Sequence, residues 1–158
     1  STLEELESAA HRAFAEFMVK STPSNALTHR RDEIQEQIPV IEKYNKYVKY
    51  HRECSSLEGR KKKKYESDFC YELDQYREAY QEMKRLLPDG NVPKLKDLRT
   101  ELDTVKQQYA DLSAERKALK KEADRLSRLV QQKRDSQRTL ARYMQNEQAA
   151  KRKKSQLE

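Results

Sequence analysis

Four basic residues at helical spacing are the part of the chain whose types and order point most clearly to chemistry. Lys117, Lys121, Arg125 and Arg128 follow one another at intervals of four, four and three residues. On an α-helix this spacing places all four on one face. A row of cations of this kind can follow a phosphate backbone or an acidic protein surface. The solvated face of a coiled coil has the same composition, so both interpretations stay open.

Two runs of consecutive basic residues could serve the same chemistry. The first is "RKKKK", which consists of Arg60, Lys61, Lys62, Lys63 and Lys64. The second is "KRKK", from Lys151 to Lys154. Each suits phosphate contacts or a localisation signal, and each also suits a solvated surface. We take the first run and the helical row as the candidate nucleic-acid-binding residues.

The positive charge of the chain is concentrated in one segment. The whole chain carries a net charge of +7, and residues 116–142 contain ten basic and three acidic residues, which also gives +7. The net charges elsewhere are −2 for residues 1–59, +1 for 60–93, −1 for 94–115 and +2 for 143–158. This distribution suits an anionic partner for the segment that contains the helical row, either DNA or an acidic protein, and it equally suits the solvated face of a coiled coil.

The residue types that catalysis requires are not grouped. His11, His29 and His51 are isolated, and no pair of them has the spacing of metal ligands. There is no phosphate-binding glycine loop and no nucleophile elbow. Six of the nine tyrosines fall between Tyr44 and Tyr76 at spacings typical of helix seams. The sequence therefore predicts a non-enzymatic chain with no catalytic, cofactor-binding or metal-binding residues and no small-molecule substrate.

Composition indicates long helices. Hydrophobic residues make up 35% of the 158 residues and charged residues 39%, and the chain has two glycines and no tryptophan. This balance suits helices with narrow apolar seams and excludes a compact sheet sandwich. No apolar run approaches the roughly 20 residues of a membrane span, so we expect no membrane insertion. Two cysteines, Cys54 and Cys70, without a secretory signal predict reduced thiols buried on helix faces, in a cytoplasm.

Apolar spacing predicts three helices in the first half of the chain. A short amphipathic helix is expected over residues 1–20, opened by a capping box of Ser1 with Glu4 and followed by a turn or linker at 21–25. The second helix is expected over 26–57 with a kink at Pro39, and Gly59 is expected to end it in a left-handed conformation. The third is expected from residue 61 to 87.

The stretch "LLPDGNVPKLKDLRTEL", from Leu86 to Leu102, contains three of the six glycines and prolines. Pro88, Gly90 and Pro93 predict a loop at 88–93 that ends one helix and begins another. A heptad pattern then starts at Leu95, and residues 94–150 contain no helix breaker. Residues 151–158 form a basic tail. Because short connections favour antiparallel neighbours, we expect an all-α, elongated antiparallel hairpin or bundle over 61–150, with one long coiled-coil-like C-terminal helix.

The long helix is longer than its expected partner, so its distal part needs another one. Beyond about Leu119 it is expected to pack on the kinked second helix or on a second copy of the chain, which would give a homodimer.

Part of the chain resembles a known family. The segment from Lys63 to Leu102 resembles the region that follows the nuclease domain in relaxase (mobilisation) proteins of plasmids and conjugative transposons. The resemblance depends on three groups of residues along this segment, and it extends more weakly over Ile38 to Arg52. The groups are Tyr65, Glu72, Leu73, Tyr76 and Ala79; Leu87, Pro88, Gly90 and Pro93; and Leu95, Lys96, Leu98, Arg99, Glu101 and Leu102.

The resemblance implies a parent protein that nicks one DNA strand at a transfer origin. The paired histidines and N-terminal tyrosine of that nuclease domain are missing here, so none of those residues can be assigned. The chain would then be a non-catalytic C-terminal region in the bacterial cytoplasm that binds DNA, relaxosome proteins or secretion proteins, or that oligomerises. The alternative is a structural coiled-coil segment of an unrelated scaffold protein.

Overall fold

The computed structural model describes residues 2–157, and these residues contain five α-helices and no strand. The helices are α1 (Leu3–Val19), α2 (Ser21–Ser55), α3 (Gly59–Asp68), α4 (Cys70–Leu86) and α5 (Leu95–Leu157). The predicted all-α class is therefore confirmed. The chain divides into two compact units, one of Ser1–Ser24 with Asp111–Glu158 and one of Asn25–Ala110. We call them the terminal unit and the central unit.

A capping box starts α1, one residue later than the sequence pattern suggested. The backbone N–H of Glu5 donates to Thr2 Oγ1 at 3.2 Å, and the Thr2 N–H donates to Glu5 Oε2 at 3.3 Å. Ser1, the predicted cap, lies outside the described residues. Both pairs fit the pattern of Ser or Thr followed three residues later by Glu, so the sequence alone could not choose between them.

In the terminal unit α1 packs antiparallel on α5. Near the N-terminal end of α1, Glu7 Oε1 accepts from Arg134 Nη2 at 2.9 Å. Just beyond the C-terminal end of α1, Lys20 Nζ lies 2.8 Å from Glu115 Oε1. Between them the Arg116 guanidinium lies 4.7 Å from the ring centroid of Phe17. The distal part of α5 was expected to pack on the second helix or on a second copy. Within the chain its partner is instead the short first helix, which has the apolar face that α5 requires.

The predicted linker at 21–25 is helical, which corrects the sequence-based boundary. Helix α2 begins at Ser21, directly after the single non-helical residue Lys20. Pro23 lies in the first turn of α2, where a helix tolerates proline because the N–H groups there have no helical acceptor. Pro23 has no N–H to donate to the Val19 carbonyl, so that carbonyl lacks its helical donor at the junction of α1 and α2.

Helix α2 continues through Pro39 to Ser55 without a second break. Pro39 therefore lies inside a continuous helix, and the kink expected there stays a prediction. Gly59 has the predicted positive φ of 63°, but it begins α3 and does not cap α2, which has already ended.

The main core of the central unit joins α2 to α5. Ile34, Ile41, Leu98 and Val105 form a buried cluster. Arg30 bonds to Glu101, and further along α2 Glu42 bonds to Arg99, with the order of residues reversed between the two helices. The two helices are therefore antiparallel.

Helix α4 also packs antiparallel on α2. Lys43 Nζ donates to Glu78 Oε2 at 2.8 Å, and Arg85 Nη2 donates to Glu36 Oε1 at 3.0 Å. Tyr76 packs in a buried cluster with Tyr47 and Val48.

The antiparallel hairpin predicted over 61–150 is not the pairing observed. Since α4 and α5 are each antiparallel to α2, they run in the same direction. The loop itself is confirmed, with Gly90 at φ 77° and the Asn91 N–H donating to Asp89 Oδ1 at 3.1 Å. The loop chemistry ends α4 and allows α5 to begin, but packing on α2 determines the direction in which α5 leaves.

The predicted third helix, 61–87, is two helices. It divides at Phe69, whose φ of −117° and ψ of 31° lie outside the helical range. The Phe69 ring lies 4.5 Å from Tyr65 and 5.4 Å from Tyr50, centroid to centroid. The free energy gained from this aromatic packing exceeds the cost of moving the backbone of one residue out of helical geometry. A seam periodicity alone cannot reveal such a departure.

Candidate nucleic-acid interface

The row of Lys117, Lys121, Arg125 and Arg128 is exposed along α5 in the terminal unit. The buried residues Ala123 and Val130 lie on the opposite side of the helix. The row therefore faces away from the packed face, because α1 covers the side that carries Ala123 and Val130. Solvent, or a ligand that arrives from solvent, can contact all four side chains.

The four cations differ in how far they are already neutralised. Arg125 donates to both carboxylate oxygens of Glu122, from Nε at 2.9 Å and from Nη2 at 2.6 Å. This hydrogen bond raises the pKa of Arg125 and lowers the pKa of the Glu122 carboxyl. Arg128 Nε instead donates to the backbone carbonyl of Asp124 at 3.4 Å, which leaves its charge uncompensated.

Lys117 and Lys121 have no acidic partner among the residues that the structure describes. Three of the four cations are thus free to bind an anion, and Arg125 must first leave Glu122. A phosphate would have to compete with a carboxylate that already makes two charge-assisted hydrogen bonds. The row therefore consists of three cations that are available to an anion and a fourth, Arg125, that is paired with Glu122.

The second candidate cluster, Arg60 to Lys64, lies in the first half of α3 in the central unit. Lys62 is half-buried and the other four side chains are exposed. Cations in the first turn of a helix oppose the helix dipole, whose N-terminal end is positive. The cap residue Glu58 makes no side-chain capping hydrogen bond that would offset this. The cluster thus weakens the helix that carries it, which favours a role in binding.

Four further cations lie just before this cluster in the sequence, and the sequence-based prediction did not include them. Residues 43–64 contain nine basic and two acidic residues, a net charge of +7. The four that were missed belong to the last turns of α2, and α3 folds back beside them. They are Lys43, Lys46, Lys49 and Arg52. The alternation of Lys and Tyr in "KYNKYVKYHR" was the available signal.

The end of α2 is joined to α3 by polar contacts. The Tyr65 hydroxyl donates to Glu53 Oε2 at 3.2 Å, and the Cys54 thiol lies 3.9 Å from Glu66 Oε1. These contacts bring the end of α2 beside α3 in one basic region of the central unit, which we call the α2–α3 corner. Lys43 of this region is already paired with Glu78 of α4. Cys54 is buried as predicted, but Cys70 is exposed, which corrects that expectation.

Aromatic rings accompany the cations at this corner. Lys46 Nζ lies 5.2 Å from the Tyr47 centroid, and Lys49 Nζ lies 5.1 Å from that of Tyr50. Such cation–π contacts orient the ammonium groups without neutralising them. The corner therefore keeps its positive field.

The buried tyrosines Tyr65 and Tyr76 of the central unit are arranged for packing. Burial raises the pKa of Tyr65 to about 12, and the neighbouring Glu53 adds to the shift. Burial also raises the pKa of Tyr76, which stacks on His51 at 4.3 Å. A raised pKa disfavours the phenolate that a nucleophilic tyrosine requires. Both phenols are therefore held in the neutral form, and the Tyr65 hydroxyl donates to Glu53.

The part of the chain from Thr2 to Leu157 contains no group of three or more His, Cys, Asp or Glu side chains arranged to hold a metal ion. None of its helices has the length and apolar character needed to cross a membrane.

Comparison with known proteins adds no relative. No family model matches the chain, no curated protein matches it, and no solved structure matches it. The charges and contacts of the described residues are therefore what bears on function.

Proposed function

We propose that this chain is a non-catalytic helical region that binds DNA through exposed cations. The observation that carries the proposal is the row on α5. Lys117, Lys121 and Arg128 project from one exposed face without a carboxylate partner among the described residues. Counterions released from DNA when such cations bind phosphates supply a sequence-independent binding free energy.

The α2–α3 corner supports the same function. Its net charge of +7 over residues 43–64 equals that of residues 116–142. Lys49 of the corner lies beside the half-buried ring of Tyr50, and an accessible ring next to a cation suits a nucleic-acid surface. The two surfaces belong to different units, and each is to be tested by its own substitutions.

The biological setting that we propose is the C-terminal region of a relaxase in the bacterial cytoplasm. There it would hold DNA, relaxosome proteins or secretion proteins while a separate nuclease domain nicks the transfer origin. The support is the segment from Lys63 to Leu102, which includes the loop residues Pro88, Gly90 and Pro93. Paired histidines encoded upstream in the same gene would support this setting, and their absence from the complete gene would count against it.

A nicking assay tests the claim that the chain itself is not an enzyme. The purified chain is incubated with a supercoiled transfer-origin plasmid and a divalent metal. We expect the plasmid to stay supercoiled. Metal-dependent conversion to the open circle by the purified chain would show that it has its own catalytic site.

The test of DNA binding is a fluorescence anisotropy titration of duplex DNA at several salt concentrations. Each phosphate contact contributes about −0.9 to the slope of log K against log salt. Three free cations give a slope of roughly −2.7 from this face, and a contribution from Arg125 would bring it to roughly −3.6. The triple variant Lys117→Gln, Lys121→Gln, Arg128→Gln should lose about this much slope.

A matched control removes the same charge from other exposed positions, one just before α5 and two on it. Lys94→Gln, Lys96→Gln and Lys106→Gln lower the net charge equally and leave the row unchanged. If the row is the contact, the control should keep most of the affinity and slope. Equal losses in both variants would mean that only net charge matters, and the row would then have no special role. Circular dichroism confirms that both variants are folded.

A second candidate function is a structural coiled-coil segment of a scaffold protein. The observation that favours it is α5 itself, which runs for 63 residues with its residues from Gln131 onward exposed. A scaffold segment would bind DNA weakly and would associate with other helices. The same anisotropy titration distinguishes the two candidate functions, because in a scaffold segment the triple substitution would hardly change the DNA affinity or the salt slope.

A further inference from the structure

The end of α5 carries large apolar side chains that its own chain does not cover. We call residues 131–157 the α5 tail, and every residue in it is exposed. Leu140 is 58% exposed, Tyr143 67% and Met144 53%. Their spacing of three and four places them on one face of the helix. An isolated helix gains little from three apolar residues in water, so this face is suited to packing against another helix.

Helix α1 has a matching uncovered face. Phe14 is 55% exposed and Met18 49%, although α1 already packs on α5 through the neighbouring side that carries Phe17. Beside Phe14 lies a groove of about 840 Å³ between α1 and α5, lined by residues that include His11 and Val130. Two helices alone bury only one side of each other, so α1 has room for a further helix along this groove.

The two helical segments have net charges of opposite sign, although Glu7 of α1 already pairs with Arg134 at the start of the tail. The tail contains eight basic and two acidic residues, a net charge of +6. Helix α1 contains four acidic residues and one basic residue, a net charge of −3. Attraction between them favours a tail on α1 over two tails on each other, because two tails would bring +6 against +6.

We propose that the α5 tail of one molecule packs in the groove beside α1 of a second copy of this chain, and that the second copy does the same in return. Arg134, near the start of the tail, contacts Glu7 of its own α1. Beyond it the tail continues the uninterrupted helix from Leu95 to Leu157, so its distal residues Leu140 and Met144 cannot fold back onto the same α1. A reciprocal exchange closes the assembly as a two-fold dimer, the commonest symmetric arrangement.

The helix directions and the side-chain order agree with such an exchange. In a two-fold dimer with antiparallel α5 helices, each tail runs parallel to the α1 that it covers. Aligning Leu140 with Phe14 then also aligns Met144 with Met18. The same alignment brings Lys133 of the tail beside Glu7. Apolar residues thus meet apolar residues, and a cation meets a carboxylate.

The experiment is sedimentation of the chain over a range of concentrations, without DNA. We expect a monomer–dimer equilibrium. The tail variant Leu140→Ser, Met144→Ser should raise the dimer dissociation constant by about a hundredfold or more, since large apolar side chains lose their burial in both contacts. The α1 variant Phe14→Ser, Met18→Ser should do the same. Val92→Ser, an exposed apolar residue in the loop, is the control and should dimerise like wild type.

Mixing the two variants shows whether the tail binds α1. In a mixture one molecule has an intact α1 and the other an intact tail, so one of the two contacts can form. We expect heterodimers in the mixture at concentrations where each variant alone is a monomer. A wild-type chain that stays monomeric, or an α1 variant that dimerises normally, would overturn the proposal. Failure of the mixture to form heterodimers would overturn it too. Circular dichroism checks that each variant keeps its helical content.

Discussion

Arg30 on α2 donates two nearly parallel hydrogen bonds to Glu101 on α5, from Nε to Oε1 at 2.6 Å and from Nη2 to Oε2 at 2.8 Å. Arg30 lies one turn before the fully buried Ile34, and Glu101 lies one turn after the buried Leu98. A two-pronged pair of this kind fixes geometry as well as charge. It therefore sets the register in which α5 packs on α2.

This pair should make the stability of the central unit depend on pH. The hydrogen bond from Arg30 lowers the pKa of the Glu101 carboxyl from its ordinary value of 4.5. Because the folded pKa is the lower one, the contribution is present above about pH 4.5 and is lost as the pH falls through the folded pKa. Glu101→Gln should therefore cost about 1 kcal/mol at neutral pH, since both side chains are about 40% exposed.

Urea unfolding at a series of pH values measures this difference. The gap between wild type and Glu101→Gln should narrow as the pH falls below 4.5. Glu42→Gln, which removes a single-contact partner of Arg99 in the same pair of helices, should show a smaller gap. A gap for Glu101→Gln that is independent of pH would mean that ionisation of Glu101 contributes nothing to stability.

A distance measurement distinguishes the observed packing from a hairpin. Phe69, next to Cys70, contacts Tyr50 of α2, whereas Tyr109 contacts Arg31. Nineteen residues of α2 separate the two contact points, which is about 28 Å along a helix. Spin labels on Cys70 and on Gln108→Cys, with Cys54→Ala as background, should give a distance near that value. A hairpin about the loop at 88–93 would bring the two labels close together.

The Glu122 carboxylate should compete with DNA phosphates for the Arg125 side chain. Its carboxylate holds Arg125 through two hydrogen bonds. Glu122→Gln weakens that hold and removes a negative charge beside the row. We expect tighter DNA binding and a salt slope steeper by about 0.9, one additional phosphate contact. Asp103→Asn, an exposed carboxylate on α5 away from the row, is the control for the change in net charge. Equal gains from both substitutions would contradict a specific release of Arg125.

A charge reversal in α3 should stabilise the fold and weaken binding. Lys61 is an exposed residue in the first turn of α3, where a negative charge interacts favourably with the helix dipole. Lys61→Glu is expected to raise the free energy of unfolding by about 0.3–1 kcal/mol. If the α2–α3 corner binds DNA, the same change should lower the affinity. Unchanged affinity in a protein that is more stable would remove the corner from the proposed interface.

The sequence by itself determined the local features of this protein. Apolar spacing identified helices on both sides of the loop at 88–93, and the loop residues explain where α4 ends and α5 begins. The continuation of α2 through Pro39 followed from the lack of a capping residue before it. The outward direction of the row from Lys117 to Arg128 followed from spacing alone. Each of these is set within a few turns of helix, because backbone hydrogen bonds and proline geometry act over that distance.

Only the tertiary structure decided which helices pair and in which direction. A seam of apolar residues shows that a helix has a face to bury, but it does not say against which partner. Leu98 and Val105 pack on Ile34 and Ile41 of α2, and a short loop permits either direction for the helix that follows it. The division at Phe69 and the α2–α3 corner were likewise decided by packing. They join residues that lie apart in sequence, and contact free energy between such residues exists only once the chain has folded.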